Sequence, residues 1–145
     1  MDDIEKLVCR FCDAQHEISM AYEEFAKQTG YSYTSIQIMH LIYNNPGCTQ
    51  KMLNERTLFP KQTINAVITN LYNNGLVELR EDPEDRRTKD IYYSTEGEKT
   101  AEGIFDRAQE IVRRSMAGLR MEELSALIET MEKFSNLMKD EIQDL

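Results

Sequence analysis

Between residues 60 and 94 the chain encodes a helix, a stop and two strands in quick succession, and this run limits the fold more than any other feature. Ile64, Val67, Ile68 and Leu71 recur at i, i+3, i+4 and i+7, the spacing that sets four apolar side chains on one face of an α-helix. Pro60 suits the first turn, where its missing N–H costs nothing. Asn73-Asn74-Gly75 ends the helix. Two β-like runs follow, 76–80 and 88–94, joined by Glu81-Asp82-Pro83-Glu84-Asp85-Arg86-Arg87. An acidic, proline-containing connection between short strands predicts an exposed hairpin loop.

The flanks of this run are helical. Residues 4–28 predict a long amphipathic helix, with Ile4, Leu7, Val8, Phe11, Ile18, Tyr22 and Phe25 near one stripe and Gly30 placed to end it. Thr34 or Ser35 is positioned to cap a second helix through Ile36, Met39 and Ile42, which meets the stop Asn44-Asn45-Pro46-Gly47. Thr49 caps a short third helix containing Met52 and Leu53. Downstream, Thr95 and Glu98 have capping-box spacing at the start of a fifth helix through Ile104, Phe105, Ala108, Ile111 and Val112. Gly118 breaks it, and a last helix over about 121–144 repeats Leu124, Leu127, Ile128, Met131, Phe134, Leu137 and Met138. The expected fold is mainly α with a small β-hairpin: a winged helix-turn-helix flanked by long N- and C-terminal helices.

At 145 residues one domain is expected, and 41% apolar residues suit a packed core. Residues 1–145 are read as that single domain, with a winged lobe over 34–95 and dimerisation helices over 1–30 and 100–145. No run of 18 apolar residues exists and the N-terminus, Met1-Asp2-Asp3, is acidic, so neither a transmembrane helix nor a secretory signal is expected. Three cysteines form no even disulfide framework, which favours a reducing, cytoplasmic setting. The net charge of −9 taken alone argues against nucleic acid. Its distribution argues otherwise. Residues 1–45 and 100–145 carry −4 each, whereas 48–77 set Lys51, Arg56 and Lys61 against Glu55 alone. Salt screens over about 8 Å, so a duplex meets the local patch more than a distant acidic arm.

Helix, turn, helix and hairpin in this order resemble the MarR family of bacterial transcription regulators. The resemblance is carried by Leu71-Tyr72-Asn73-Asn74-Gly75-Leu76-Val77 and by Asp82-Pro83-Glu84-Asp85-Arg86-Arg87, which is similar to that family's wing tip. It implies a homodimeric repressor of double-stranded operator DNA, released by a small aromatic effector, with no enzymatic activity. On the outer face of the fourth helix, Gln62, Thr63 and Asn65 are expected to reach base edges, Lys61 a phosphate, and Thr69 lies farther along. The same residues also fit a merely solvated helix face. Arg86 or Arg87 suits an adjacent minor groove, and the resemblance implies that the other is held by Asp85. Ala66 stands where many relatives carry arginine, which points to an A·T-leaning site, and Ser94-Thr95-Glu96-Gly97 also departs from the family pattern. The first and last stripes exceed what the winged lobe needs to cover, and a symmetric dimer is the commonest solution.

Two further groups are candidates. Cys9, Cys12 and His16 share a helical face within about 60°, opposite the apolar stripe, and suit a soft metal, a thiol redox switch or ordinary helix packing. His16, Met20, Met39 and Tyr43 are candidates for an effector cleft. The chain has no glycine-rich phosphate loop, no G-x-S-x-G and no H-E-x-x-H, so neither catalysis nor a cofactor is expected. Two alternatives remain: a metal- or redox-responsive sensor on the same DNA platform, and a winged-helix protein-interaction module without DNA.

Overall fold

The computed structural model describes residues 2–144. Nine elements follow in order: α1 Asp3–Thr29, α2 Tyr33–Asn44, β1 Cys48–Thr49, α3 Gln50–Arg56, α4 Lys61–Asn73, β2 Val77–Glu81, β3 Lys89–Tyr93, α5 Thr95–Met116 and α6 Met121–Gln143. The mainly helical winged fold expected from the sequence is therefore present. Two compact units divide the chain, one through Phe105 and the other from Asp106.

The helix ends follow local chemistry. Asp2 and Glu5 close a capping box on α1, and Gly30 ends that helix in the left-handed region at φ 82°. Thr49 caps α3 by accepting from the Met52 N–H at 3.2 Å. Two expected caps shift. Ser32, not Thr34 or Ser35, caps α2, its hydroxyl accepting from the Ser35 N–H at 3.0 Å. Ser94, not Thr95, caps α5: its Oγ accepts from the Gly97 N–H at 3.0 Å and donates to the Gly75 carbonyl at 2.6 Å. That hydroxyl thus ties α5 to the turn after α4, a link that spacing along the chain does not reveal.

The core of the first unit is built from Ile38, Met39, Ile42, Leu53, Ile64, Leu71 and Ile91, all fully buried. Ile64, Ile68 and Leu71 turn inward as expected, while Val67 is only half-buried at the edge of that stripe. The hairpin strands pair antiparallel, with Val77 opposite Tyr93 and Glu81 opposite Lys89. They belong to a three-stranded sheet in the order β1-β3-β2, since Cys48 pairs with Ile91 and Thr49 with Asp90. Two residues carry no readable alternation, so β1 exists only because α2 and α3 deliver it to the free edge of β3. Tyr93 fastens this sheet to α2 by donating to the Met39 carbonyl at 2.8 Å. Burial is the main cause that pushes its phenol well above the ordinary range.

In the second unit α6 begins at Arg120, whose N–H donates to Glu123 at 2.9 Å. None of its described side chains is buried. Leu127, Ile128, Met131, Leu137, Met138 and Ile142 are all exposed. The same holds for Ile4, Leu7, Val8 and Ile18 on α1 of the first unit. Among the described residues no helix is long and apolar enough to cross a membrane.

Candidate nucleic-acid interface

Helix α4 presents two faces because its apolar stripe is consumed by the core. Lys61, Gln62, Asn65 and Thr69 remain on the outer side, all exposed. Pro60 stands at the N-cap with φ −55°, and its carbonyl accepts from the N–H groups of Thr63 and Ile64 at 2.9 and 3.2 Å. The first turn of α4 is thereby held by backbone alone, which leaves the side chains of Lys61 and Gln62 free of capping duty.

These side chains border a cleft of about 1130 Å³ that runs from α3 and α4 to the hairpin. Lys51 and Asn54 contribute from α3, Lys61, Gln62, Asn65 and Thr69 from α4, and Arg87, Thr88 and Lys89 from the hairpin side. Four cations line it and, among the described residues, no carboxylate does. Lys51 lies 3.9 Å from Glu55 and Lys89 3.1 Å from Glu81, both pairs exposed and therefore weak. A concave, acid-free surface with four cations and several amide and hydroxyl groups suits a polyanion whose edges also carry donors and acceptors. The buried Oδ1 of Asn54 has no hydrogen-bond partner among the described residues.

Five of the seven residues singled out from the sequence meet in this cleft: Lys61, Gln62, Asn65, Thr69 and Arg87. Thr63 is half-buried on the flank of α4, and Arg86 is exposed on the loop outside the lining. Sequence reasoning missed Lys51 and Lys89. Lys51 was visible in the basic 48–77 patch, but nothing local placed it beside α4. The wing loop is braced by its own acids. Asp82 accepts from the Glu84 N–H at 2.8 Å, and Asp85 from the Arg87 N–H at 3.0 Å and the Thr88 hydroxyl at 3.3 Å. Asp85 thus holds the Arg87 backbone, and no ion pair among the described residues joins it to either arginine side chain. Arg56 instead clamps the turn after α2, donating to Asn45 Oδ1 at 2.9 Å.

The other candidate groups lie outside this cleft. Among the described residues no cluster of three or more His, Cys, Asp or Glu side chains could hold a metal ion. Cys9, Cys12 and His16 are exposed on α1. Of the four candidates for an effector cleft, Met39 is fully buried in the core and Met20 is exposed. His16 is exposed too, and Tyr43 is half-buried, its ring 5.3 Å from that of Phe105 and its hydroxyl 3.3 Å from Glu102. None of these four lines the cleft between α3, α4 and the hairpin.

Comparison with known proteins agrees with this architecture. Residues 29–88 match the model of the MarR family. The transcriptional regulator HosA of Escherichia coli O111:H- is 26% identical over 99 residues, covering 68% of this chain and 73% of HosA. A crystal structure of a MarR family transcription regulator superposes with a TM-score of 0.86 at 19% identity, over 99% of this chain and 95% of that one. Streptococcus pneumoniae FabT, solved in complex with DNA, gives a TM-score of 0.79 at 15% identity, over 95% and 99% of the two chains. Over residues 29–88 the chain is thus similar to the MarR family, its relative HosA is a transcriptional regulator, and it has the winged-helix fold of that family's solved structures.

Proposed function

We propose that this protein is a homodimeric, sequence-specific repressor of cytoplasmic operator DNA, with α4 in the major groove and the wing against the adjoining minor groove. The cleft that joins α3, α4 and the hairpin carries the reading, because four cations line it and, among the described residues, no carboxylate does. Gln62 and Asn65 offer the donor–acceptor pairs that match an adenine edge. Lys51, Lys61 and Lys89 suit phosphates, Thr63 and Thr69 the sugar-phosphate flank, and Arg86 and Arg87 a narrow minor groove. The relative FabT, with the same fold, was solved with DNA, which supports the assignment. A polar outer face on α4 gives a protein-interaction module little to hold.

The dimer is supported by the exposed apolar stripes of α1 and α6, since water-facing rows of this kind normally close against a second copy. A dimer would present two recognition helices to successive major grooves about 10 bp apart. A small aromatic effector that alters the spacing of the two lobes would then release the operator, through its differential affinity for the two states. The test is selection of bound duplexes from random DNA by the full chain, with and without candidate aromatic acids. Enrichment of a pseudo-palindrome with that half-site spacing is expected; a flat profile overturns the proposal.

A further inference from the structure

We propose that Leu58 is a specificity-determining residue that reads the C5-methyl group of thymine beside the recognition helix. The inference deepens the DNA-binding reading above and rests on it. Leu58 is 104% exposed, so its apolar surface stands in water. Other large apolar side chains on the surface of the winged lobe are partly covered, Tyr72 at 52% and Leu79 at 36%. A leucine left wholly in water carries the full hydration penalty of its apolar surface, which contact with an apolar partner removes.

The segment that presents it is stiff. Thr57 leaves α3 in extended backbone, φ −130° and ψ 163°, with its hydroxyl donating to the Leu53 carbonyl at 2.9 Å. Two residues beyond Leu58, Pro60 fixes φ at −55° and its carbonyl binds the first turn of α4. Leu58 is therefore held between two anchored helix ends, and little backbone freedom is left to lose on binding. Its neighbour Phe59 lines the cationic cleft, and so do Lys61 and Gln62. Phe59 lines the cleft and Leu58, one residue before it and fully exposed, stands at its lip.

The chemistry of the partner follows from this position. Four residues of chain, at most about 14 Å, separate Leu58 from Gln62, so Leu58 stands beside the groove that Gln62 would enter. Among the groups on a major-groove edge, only the thymine C5-methyl is apolar. An apolar side chain at the lip and amide side chains inside it together favour A·T pairs, the amide reading adenine and the leucine the methyl of a nearby thymine.

Deoxyuridine differs from thymidine only by this methyl group, which makes the test specific. The probe is the tightest duplex recovered from random-sequence selection, with each thymidine replaced in turn by deoxyuridine, titrated with the wild-type chain, Leu58→Ala and Leu58→Met. Wild type should lose about fourfold in affinity at one position per half-site, the loss expected for one methyl group. Leu58→Met should keep that discrimination. Leu58→Ala should bind the thymidine duplex more weakly and lose the discrimination, with little change in melting temperature because the side chain is fully exposed in the free protein. Wild-type indifference to deoxyuridine at every position, or discrimination retained by Leu58→Ala, overturns the role of Leu58 and leaves DNA binding intact. Failure of the wild type to bind any duplex overturns the DNA-binding reading itself, and this inference with it.

Discussion

The α-carbon of Gly97 sits against the backbone carbonyl of Leu76, so close that a Cβ on Gly97 would collide with the carbonyl oxygen and lie 2.6 Å from the carbonyl carbon. Backbone cannot move aside as a flexible side chain does, and α5 is fixed at this point by the Ser94 cap as well. Gly97→Ala should therefore destabilise the fold by about 1–3 kcal/mol, the range for overpacking. Gly103 on the same helix has nothing within 4 Å of a built Cβ, so Gly103→Ala should instead add about 0.5–1 kcal/mol. Urea unfolding of the two variants beside wild type checks both signs.

Tyr93 links stability to alkaline pH. Burial holds its phenol neutral in the folded protein, above the ordinary value of ~10 that it regains on unfolding. The raised folded value means that its contribution is fully present below about pH 10 and declines as pH rises beyond that, because only the unfolded chain gains by ionising. Tyr93→Phe should cost about 1 kcal/mol at neutral pH through loss of the hydrogen bond to Met39, and should flatten the decline above pH 10. Thermal melts from pH 7 to 11 measure both effects.

The wing arginines should differ. Arg87 lines the cleft and Arg86 stands outside it. Arg87→Ala should lower the slope of log affinity against log salt by about 1 if Arg87 meets a phosphate, whereas Arg86→Ala should have the smaller effect on binding. Equal slopes for wild type and Arg87→Ala in a salt-series titration would remove Arg87 from the contact.

Gln62 and Asn65 should carry sequence preference. Alanine at either position should relax selection at one base pair per half-site by about 1–3 kcal/mol. Lys51→Ala should weaken binding evenly across sequences. A base-preference profile unchanged in Asn65→Ala would reassign that side chain to the solvated helix face.

The three thiols should react in two classes. Cys9 and Cys12 are exposed, while Cys48 is buried in β1 and burial pushes its thiol above the usual range. Titration of the native protein with a chromogenic disulfide should give two fast thiols and one slow one, and denaturant should make all three fast. A fast third thiol in the native state contradicts the burial of β1.

Much of the fold was legible without coordinates. The stripe Ile64-Ile68-Leu71, the Asn73-Asn74-Gly75 stop, the Thr49 cap and the hairpin around Asp82-Pro83 all stand as expected. Each depends on residues within about four positions of one another, where helix periodicity, capping and turn chemistry act and leave their mark in the order of side chains. Gln62, Asn65 and Thr69 could be nominated for the same reason, being what an apolar stripe leaves on the other side of a helix. What only the tertiary structure decided was which distant residues meet. It paired Cys48 with Ile91, moved the α5 cap to Ser94 by tying it to Gly75, pressed Gly97 against Leu76, and brought Lys51, Arg87 and Lys89 to the face of α4. Separations of up to some forty residues are closed by burial of the shared core, and burial depends on the summed packing of α2, α3, α4 and the sheet, which no short stretch of sequence records.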